Sequence, residues 1–101
     1  MKQRLIDHWE SNEIITDKRV IKAFQETKRE QFIHNDYLDE AYSDYPLPIG
    51  HDQTISQPST IMIMTQALEL KKGDKVLEIG AGSGYQAALI AKIVEPGKVV
   101  T

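Results

Sequence analysis

Apolar positions change period along this chain, and each change marks a new element. Leu5, Ile6 and Trp9 recur at i, i+1 and i+4, the spacing of one face of a short helix. Val20, Ile21 and Phe24 mark a second amphipathic helix running to about Phe32, with Asn12 or Thr16 placed to cap it. From Asn35 to Pro58 the periodicity is lost. Two prolines and a glycine within Tyr42-Ser43-Asp44-Tyr45-Pro46-Leu47-Pro48-Ile49-Gly50 predict extended or turning backbone there. Pro58 suits the first turn of a new helix, where its missing N–H would have had no partner. Ile61, Met64 and Leu68 form the stripe of that helix. Ile63, Ala67 and Leu70 lie beside it, giving a wide apolar surface that predicts packing against a sheet.

After a polar turn at Lys71-Lys72-Gly73-Asp74 the pattern shortens. Val76-Leu77-Glu78-Ile79 reads as a short buried strand, and Gly80-Ala81-Gly82-Ser83-Gly84 as a glycine-rich turn. Tyr85 to Val94 reads as a compact helix, Pro96-Gly97 as a turn, and Lys98 to Thr101 as a further strand. Strand, glycine loop, helix and strand form the opening unit of a parallel α/β sheet. The fold class is therefore α/β: N-terminal helices and a long loop over residues 1–57, then the start of a Rossmann-like domain over 58–101. A parallel sheet needs several strands with both faces covered. The pattern is accordingly expected to be truncated, belonging to a chain roughly twice as long, with self-association through unpaired strand edges as a consequence.

Composition narrows the function classes. Hydrophobic residues make up 41% and charged residues 27%, the balance of a soluble globular chain. A net charge of −3 without a basic stripe argues against nucleic acid as a partner. The densest charge run, Glu26-Thr27-Lys28-Arg29-Glu30, mixes both signs and reads as a solvated helix face. Without cysteine there is no disulfide, thiolate metal site or cysteine nucleophile. His8 and His34 lack partners at metal-ligand spacing and read as surface or packing residues, so no metal is expected. Met1 to Glu10 carries no apolar signal core. Ile61 to Leu70 is too short to span a bilayer. A cytoplasmic protein with no membrane partner is the expectation.

The glycine loop carries the first chemistry. A P-loop needs Gly-Lys-Ser/Thr, which is absent. The dinucleotide fingerprint G-x-G-x-x-G would place glycine where Tyr85 stands, which argues against a nicotinamide dehydrogenase. The spacing at Gly80, Gly82 and Gly84, after Val-Leu-Glu-Ile, instead resembles motif I of the class I S-adenosylmethionine methyltransferases. Glycine lets the backbone turn sharply and approach a ligand closely. The helix start behind it favours a carboxylate. The resemblance implies S-adenosyl-L-methionine as methyl donor, held by Glu78, Gly80, Gly82, Ser83 and Gly84, with Glu78 meeting the methionine ammonium group. A plain tight turn is the bland reading of the same residues. The acid that would hold the ribose, about 20 residues past the glycines, would lie beyond Thr101.

The preceding segment is more specific. Leu47-Pro48-Ile49-Gly50-His51-Asp52-Gln53-Thr54-Ile55-Ser56-Gln57-Pro58 closely resembles the signature of the isoaspartyl methyltransferases, L-P-I-G-x-G-Q-T-I-S-x-P. Ala41-Tyr42-x-Asp44 and Gly82-Ser83-Gly84-Tyr85-Gln86-Ala87-Ala88 match as well. Two departures stand out: Asp52 replaces the second glycine of the G-x-G pair, and Lys28 stands where the family often has proline. The resemblance implies a repair enzyme that moves a methyl group to the free α-carboxylate of L-isoaspartyl residues in damaged proteins and peptides. Residues 1–57 then end in the substrate loop. Ser56 is the implied catalytic residue, orienting that carboxylate, with Gln53 and Thr54 beside it and Ile55 packing beneath. From the residues alone, Ser56 also reads as an N-cap of the helix at Pro58. His51 reads as a loop residue, Asp44 as a loop hydrogen-bond acceptor, and Trp9, Met62 and Met64 as packing residues. A small-molecule methyltransferase and a non-catalytic binding module are the alternatives.

Overall fold

The computed structural model describes residues 1–101. Helix α1 (Lys2–Ser11) buries Leu5, Ile6 and Trp9, the face its spacing predicts. Asn12 closes this helix rather than opening the next: its side-chain amide donates to the His8 carbonyl at 2.9 Å. Helix α2 (Lys18–Glu26) is capped by Asp17, whose carboxylate accepts from the Arg19 N–H at 2.9 Å. Thr16 is not the cap either. Its backbone N–H, with that of Asp17, donates to Gln66 Oε1 at 2.8 and 2.9 Å.

Helix α2 also stops short of Phe32. Lys2 Nζ donates to the carbonyls of Gln25 and Thr27 at 3.0 and 3.2 Å, occupying acceptors where the helix ends. The chain then turns through a 3₁₀ segment, Arg29–Phe32, and a second one, Asn35–Glu40. The mixed-charge run is therefore not a solvated helix face, because Thr27 and Arg29 within it are buried.

The proline-rich segment folds into a hairpin. Strands β1 (Leu47–Gly50) and β2 (Gln53–Ile55) pair antiparallel, Leu47 opposite Ile55 and Pro48 opposite Thr54, with an irregularity between Pro48 and Gly50. Such a short two-stranded unit tolerates proline because Pro48 has no third strand to bond. Helix α3 (Pro58–Ala67) begins where Pro58 predicts, but its inward face is Pro58, Ile61, Met62 and Thr65. Of the expected stripe only Ile61 faces the core, while Ile63, Met64 and Leu68 are exposed. Thr65 is accommodated inside because its hydroxyl donates to the Ile61 carbonyl at 2.7 Å.

Strands β3 (Lys75–Leu77) and β4 (Lys98–Val100) pair in parallel, Val76 opposite Val99. Helix α4 (Tyr85–Val94) crosses between them with the limits its apolar pattern predicts. The strand is less buried than expected: Leu77 is 70% and Ile79 91% exposed. No element of this chain covers that side of the two-stranded sheet. The core lies on the other side, where residues of α1 to α4 and both hairpin strands pack into one cluster. Trp9 and Phe24 meet edge to face at 4.8 Å within it, an arrangement worth about 0.5–1.5 kcal/mol beyond area burial. No helix is long and apolar enough to cross a membrane.

The β3–β4 junction depends on one glycine. Gly97 passes so close to the preceding turn that a Cβ built on it would lie 2.0 Å from the Asp74 carbonyl oxygen. That carbonyl accepts from the Lys98 N–H at 3.0 Å and so starts the parallel pairing. Gly97→Ala is expected to cost about 1–3 kcal/mol, typical of overpacking, read as a lower urea midpoint at unchanged slope.

A second expectation concerns acid. The Tyr42 hydroxyl donates to Glu30 Oε2 at 2.5 Å. Burial pushes the Glu30 carboxyl up, but the Tyr42 hydrogen bond, a backbone hydrogen bond and the charges of Lys2 and Lys28 together outweigh it and leave the group below its ordinary value of 4.5. A carboxyl depressed in the folded state adds stability above its unfolded value, and that stability is lost as pH falls through the folded value. Glu30→Gln should therefore flatten part of the stability loss below about pH 4.5, measured as melting temperature against pH. An unchanged acid limb would refute this.

Candidate functional site

The hairpin and the β3–α4 turn face each other across a cleft of about 160 Å³. From the hairpin side Thr54 and Ser56 line it; from the turn side come Glu78, Gly80, Gly82 and Ser83. Ile55 and Ile61 form an apolar part of the wall, and both are buried. Of the residues singled out in the sequence, the structure thus brings six to one place. Gln53 and Gly84 lie outside the lining. Gln53 is exposed beside the hairpin tip, and Gly84 sits one step behind the loop as the N-cap of α4. Ala81 and Gln86 also line the cleft.

Local chemistry explains each position. The hairpin tip is His51-Asp52, with φ of 53° and 57°, as two-residue hairpin turns of the primed type require. Asp tolerates this backbone better than most residues, so the departure from glycine is absorbed in the turn. Asp52 and His51 lie at the tip and not among the residues of the cleft. In the glycine loop Gly84 has φ of 85°, which allows the sharp entry into α4. The Ser83 hydroxyl accepts from the Tyr85 N–H at 3.2 Å and occupies one donor of the helix start.

Ser56 does not cap α3. The N-cap is Gln57, without a side-chain bond, and the Ser59 N–H of the first turn is taken by Asp44 Oδ1 at 2.9 Å. Asp44 is the loop acceptor its position predicts. Its other oxygen accepts from the Ser59 hydroxyl at 2.6 Å, and that hydroxyl in turn accepts from the Trp9 indole N–H at 2.8 Å. What holds Ser56 is its backbone: its carbonyl accepts from Arg29 Nη2 at 2.9 Å. The Ser56 side chain is left on the exposed side.

Glu78 follows β3 and extends the ladder by one bond, its N–H donating to the Val100 carbonyl at 2.8 Å. Its Oε1 is shielded from solvent and has no hydrogen-bond partner. A buried carboxylate oxygen without a donor is costly, by about 1–3 kcal/mol or more. That vacancy for a donor, at the edge of a cleft, fits an ammonium group. No group of three or more His, Cys, Asp or Glu side chains is placed to hold a metal ion.

Sequence reasoning missed Arg29. Its guanidinium is 0% exposed and lies over the Tyr85 ring at 5.2 Å. Burial lowers its pKa, yet arginine stays charged at any ordinary pH. Burial also raises the Tyr85 hydroxyl above its usual value, so it is neutral beside this cation. Nothing in the local charge pattern separates Arg29 from exposed Lys28.

The family profile of protein-L-isoaspartate(D-aspartate) O-methyltransferase matches residues 1–101. The chain belongs to that family. It is 46% identical over 101 residues to the protein-L-isoaspartate O-methyltransferase of Methanopyrus kandleri, covering 99% of this chain and 45% of the relative. With that of Ruegeria pomeroyi it shares 56% over 79 residues, 78% of this chain and 37% of the relative. Among solved structures, a Plasmodium falciparum protein-L-isoaspartate O-methyltransferase in complex with S-adenosyl-L-homocysteine superposes with a TM-score of 0.79 at 27% identity. It covers 95% of this chain and 45% of that one. A second protein-L-isoaspartate O-methyltransferase gives 0.83 at 35% identity, covering 98% and 32%. The chain therefore spans less than half the length of these relatives.

The hairpin tip supplies a test of this local reading. His51→Val puts a β-branched residue at positive φ and is expected to cost about 1–2 kcal/mol, whereas Asp52→Gly should stay within about 1 kcal/mol of the parent. Chemical denaturation of the two variants checks the order; equal losses would overturn it.

Proposed function

We propose that this chain carries the substrate loop and the donor-binding loop of a cytoplasmic protein-repair methyltransferase, which methylates the free α-carboxylate of L-isoaspartyl residues. Residues 1–57 form the substrate side in this reading and 58–101 the start of the donor side. The observation that carries it is the single cleft into which Thr54 and Ser56 converge with Glu78 and the glycine loop.

S-adenosyl-L-methionine supplies, when bound, a methyl group activated by a sulfonium leaving group. Glu78 is suited to hold its ammonium group, since Oε1 lacks any donor from the chain. Gly80, Gly82 and Ser83 form a backbone turn that would hold its methionine portion, with Gly84 opening the helix behind them. On the other side, an α-carboxylate with a pKa of about 3.3–3.7 is already ionised at neutral pH. It needs positioning donors and no general base. The Ser56 hydroxyl provides one donor and Thr54 a second, with Gln53, exposed on the same strand as Thr54 and outside the lining, as a further substrate-binding candidate. Alignment of the carboxylate oxygen with the methyl group is then the main source of rate. Ile55 and Ile61 supply the apolar wall that limits water.

The test is methyl transfer from labelled S-adenosylmethionine to an isoaspartyl peptide and its aspartyl twin, by the full product of the gene encoding this chain. Transfer to the isoaspartyl peptide alone is expected. Ser56→Ala should lower kcat/KM by about tenfold or more, and Glu78→Gln should weaken S-adenosylhomocysteine binding about tenfold, each the effect of one lost polar contact. Equal transfer to both peptides, or transfer only to small acceptors, would remove the repair reading. Donor binding without transfer to any acceptor would point to a binding module instead.

A further inference from the structure

Arg29 is expensive to bury. It is fully enclosed, and neither ion pair of the chain, Arg19–Asp17 or His34–Asp36, includes it. A buried charge without a counterion costs several kcal/mol in general, and an apolar residue of similar size is often the more stable choice. Its hydrogen-bond partners are neutral, and Asp44, whose charge favours the guanidinium, forms no ion pair with it and is bonded to Ser59. Nε donates to the Ala41 carbonyl at 2.6 Å and Nη2 to the Ser56 carbonyl at 2.9 Å, while Nη1 has no partner. The planar fork directs its bonds to two carbonyls from separate segments, and its face lies on Tyr85, the first residue of α4. A rule broken in the core is expected at functional or strained sites.

We propose that Arg29 is a positioning residue for methyl transfer: its guanidinium fixes the Ser56 peptide, and through it the Ser56 hydroxyl, against the start of α4 behind the glycine loop. The proposal rests on the reading of Ser56 given above. A lysine cannot copy this role, because one ammonium on a flexible stem lacks the rigid fork needed to reach both carbonyls. A neutral residue of similar length removes the bond and the desolvation cost together.

The experiment is a double-mutant cycle in the full gene product, with Arg29→Lys and Ser56→Ala separately and combined, assayed for transfer to the isoaspartyl peptide. Arg29→Met repeats the cycle without a buried charge, so that a folding failure of the lysine variant does not end the test. Melting temperature and S-adenosylhomocysteine affinity are measured on every protein. Expected is a loss of about tenfold in kcat/KM for the Arg29 variants, carried by kcat, and less than about twofold once Ser56 is already alanine. Affinity for S-adenosylhomocysteine should stay within about threefold, by the same logic. Additive losses, or losses that follow melting temperature alone, would overturn the positioning role and leave the role of Ser56 standing. If Ser56→Ala itself leaves transfer unchanged, both the role of Ser56 and the inference built on it are wrong.

Discussion

Three separated segments meet because a guanidinium with no access to water must find acceptors. Arg29 finds them in the carbonyls of Ala41 and Ser56. Both are available because neither residue sits inside a helix or a strand: Ala41 ends a 3₁₀ segment, and Ser56 lies between β2 and α3. Regular secondary structure would have used those carbonyls itself. The irregular course from Asn35 to Pro58 is thus the condition for burying the charge, and the charge in turn holds that course in place. The Tyr85 ring below the guanidinium links this arrangement to the helix that follows the glycine loop.

Around this point the fold is tied by a few long-range polar contacts. Gln66 on α3 accepts from the Thr16 and Asp17 N–H groups and donates to the Ile14 carbonyl at 3.2 Å, so it fixes the entry to α2. The Asp44–Ser59–Trp9 chain fixes the start of α3 against α1. Each tie satisfies a helix-end donor with a side chain remote in sequence. Together they hold the segment leading from β2 into α3, and therefore the hairpin wall of the cleft. The opposite wall carries its own unsatisfied group in Glu78.

How much of this was legible in the sequence follows from the range of the interactions. Helix α4 was read to its ends because Tyr85 to Val94 is apolar and bounded by Gly84 and Pro96-Gly97, all local signals. The two motifs stood out for the same reason, since each is a run of adjacent residues. The inward face of α3 was misread because Thr65 looks polar in sequence, yet its hydroxyl turns back to Ile61 within the helix. The strand at Val76 was read as buried from composition, which cannot show whether a covering element is present. The cap of α2 was displaced to Asp17, one residue past Thr16, by an exposed bonding choice that the sequence leaves nearly degenerate. Arg29 was the deepest miss, since its partners at Ala41 and Ser56 are known only once the chain has folded.

These features agree with the demands of the proposed chemistry. A reaction whose nucleophile is already ionised gains little from a titrating base, and no histidine lines the cleft: His51 stands at the hairpin tip, and the one carboxylate in the lining, Glu78, is assigned to the donor side in this reading. It gains much from holding two reactants in line, where small displacements of a positioning group are costly. Such a site should invest in backbone rigidity close to its hydroxyl donors. The hydroxyl of Ser56 has no bond that fixes it within the chain, whereas its peptide is held by the strongest donor available, a buried guanidinium. A side chain free to meet a substrate, on a backbone tied to a buried guanidinium, suits in-line transfer to a carboxylate in the proposed reading.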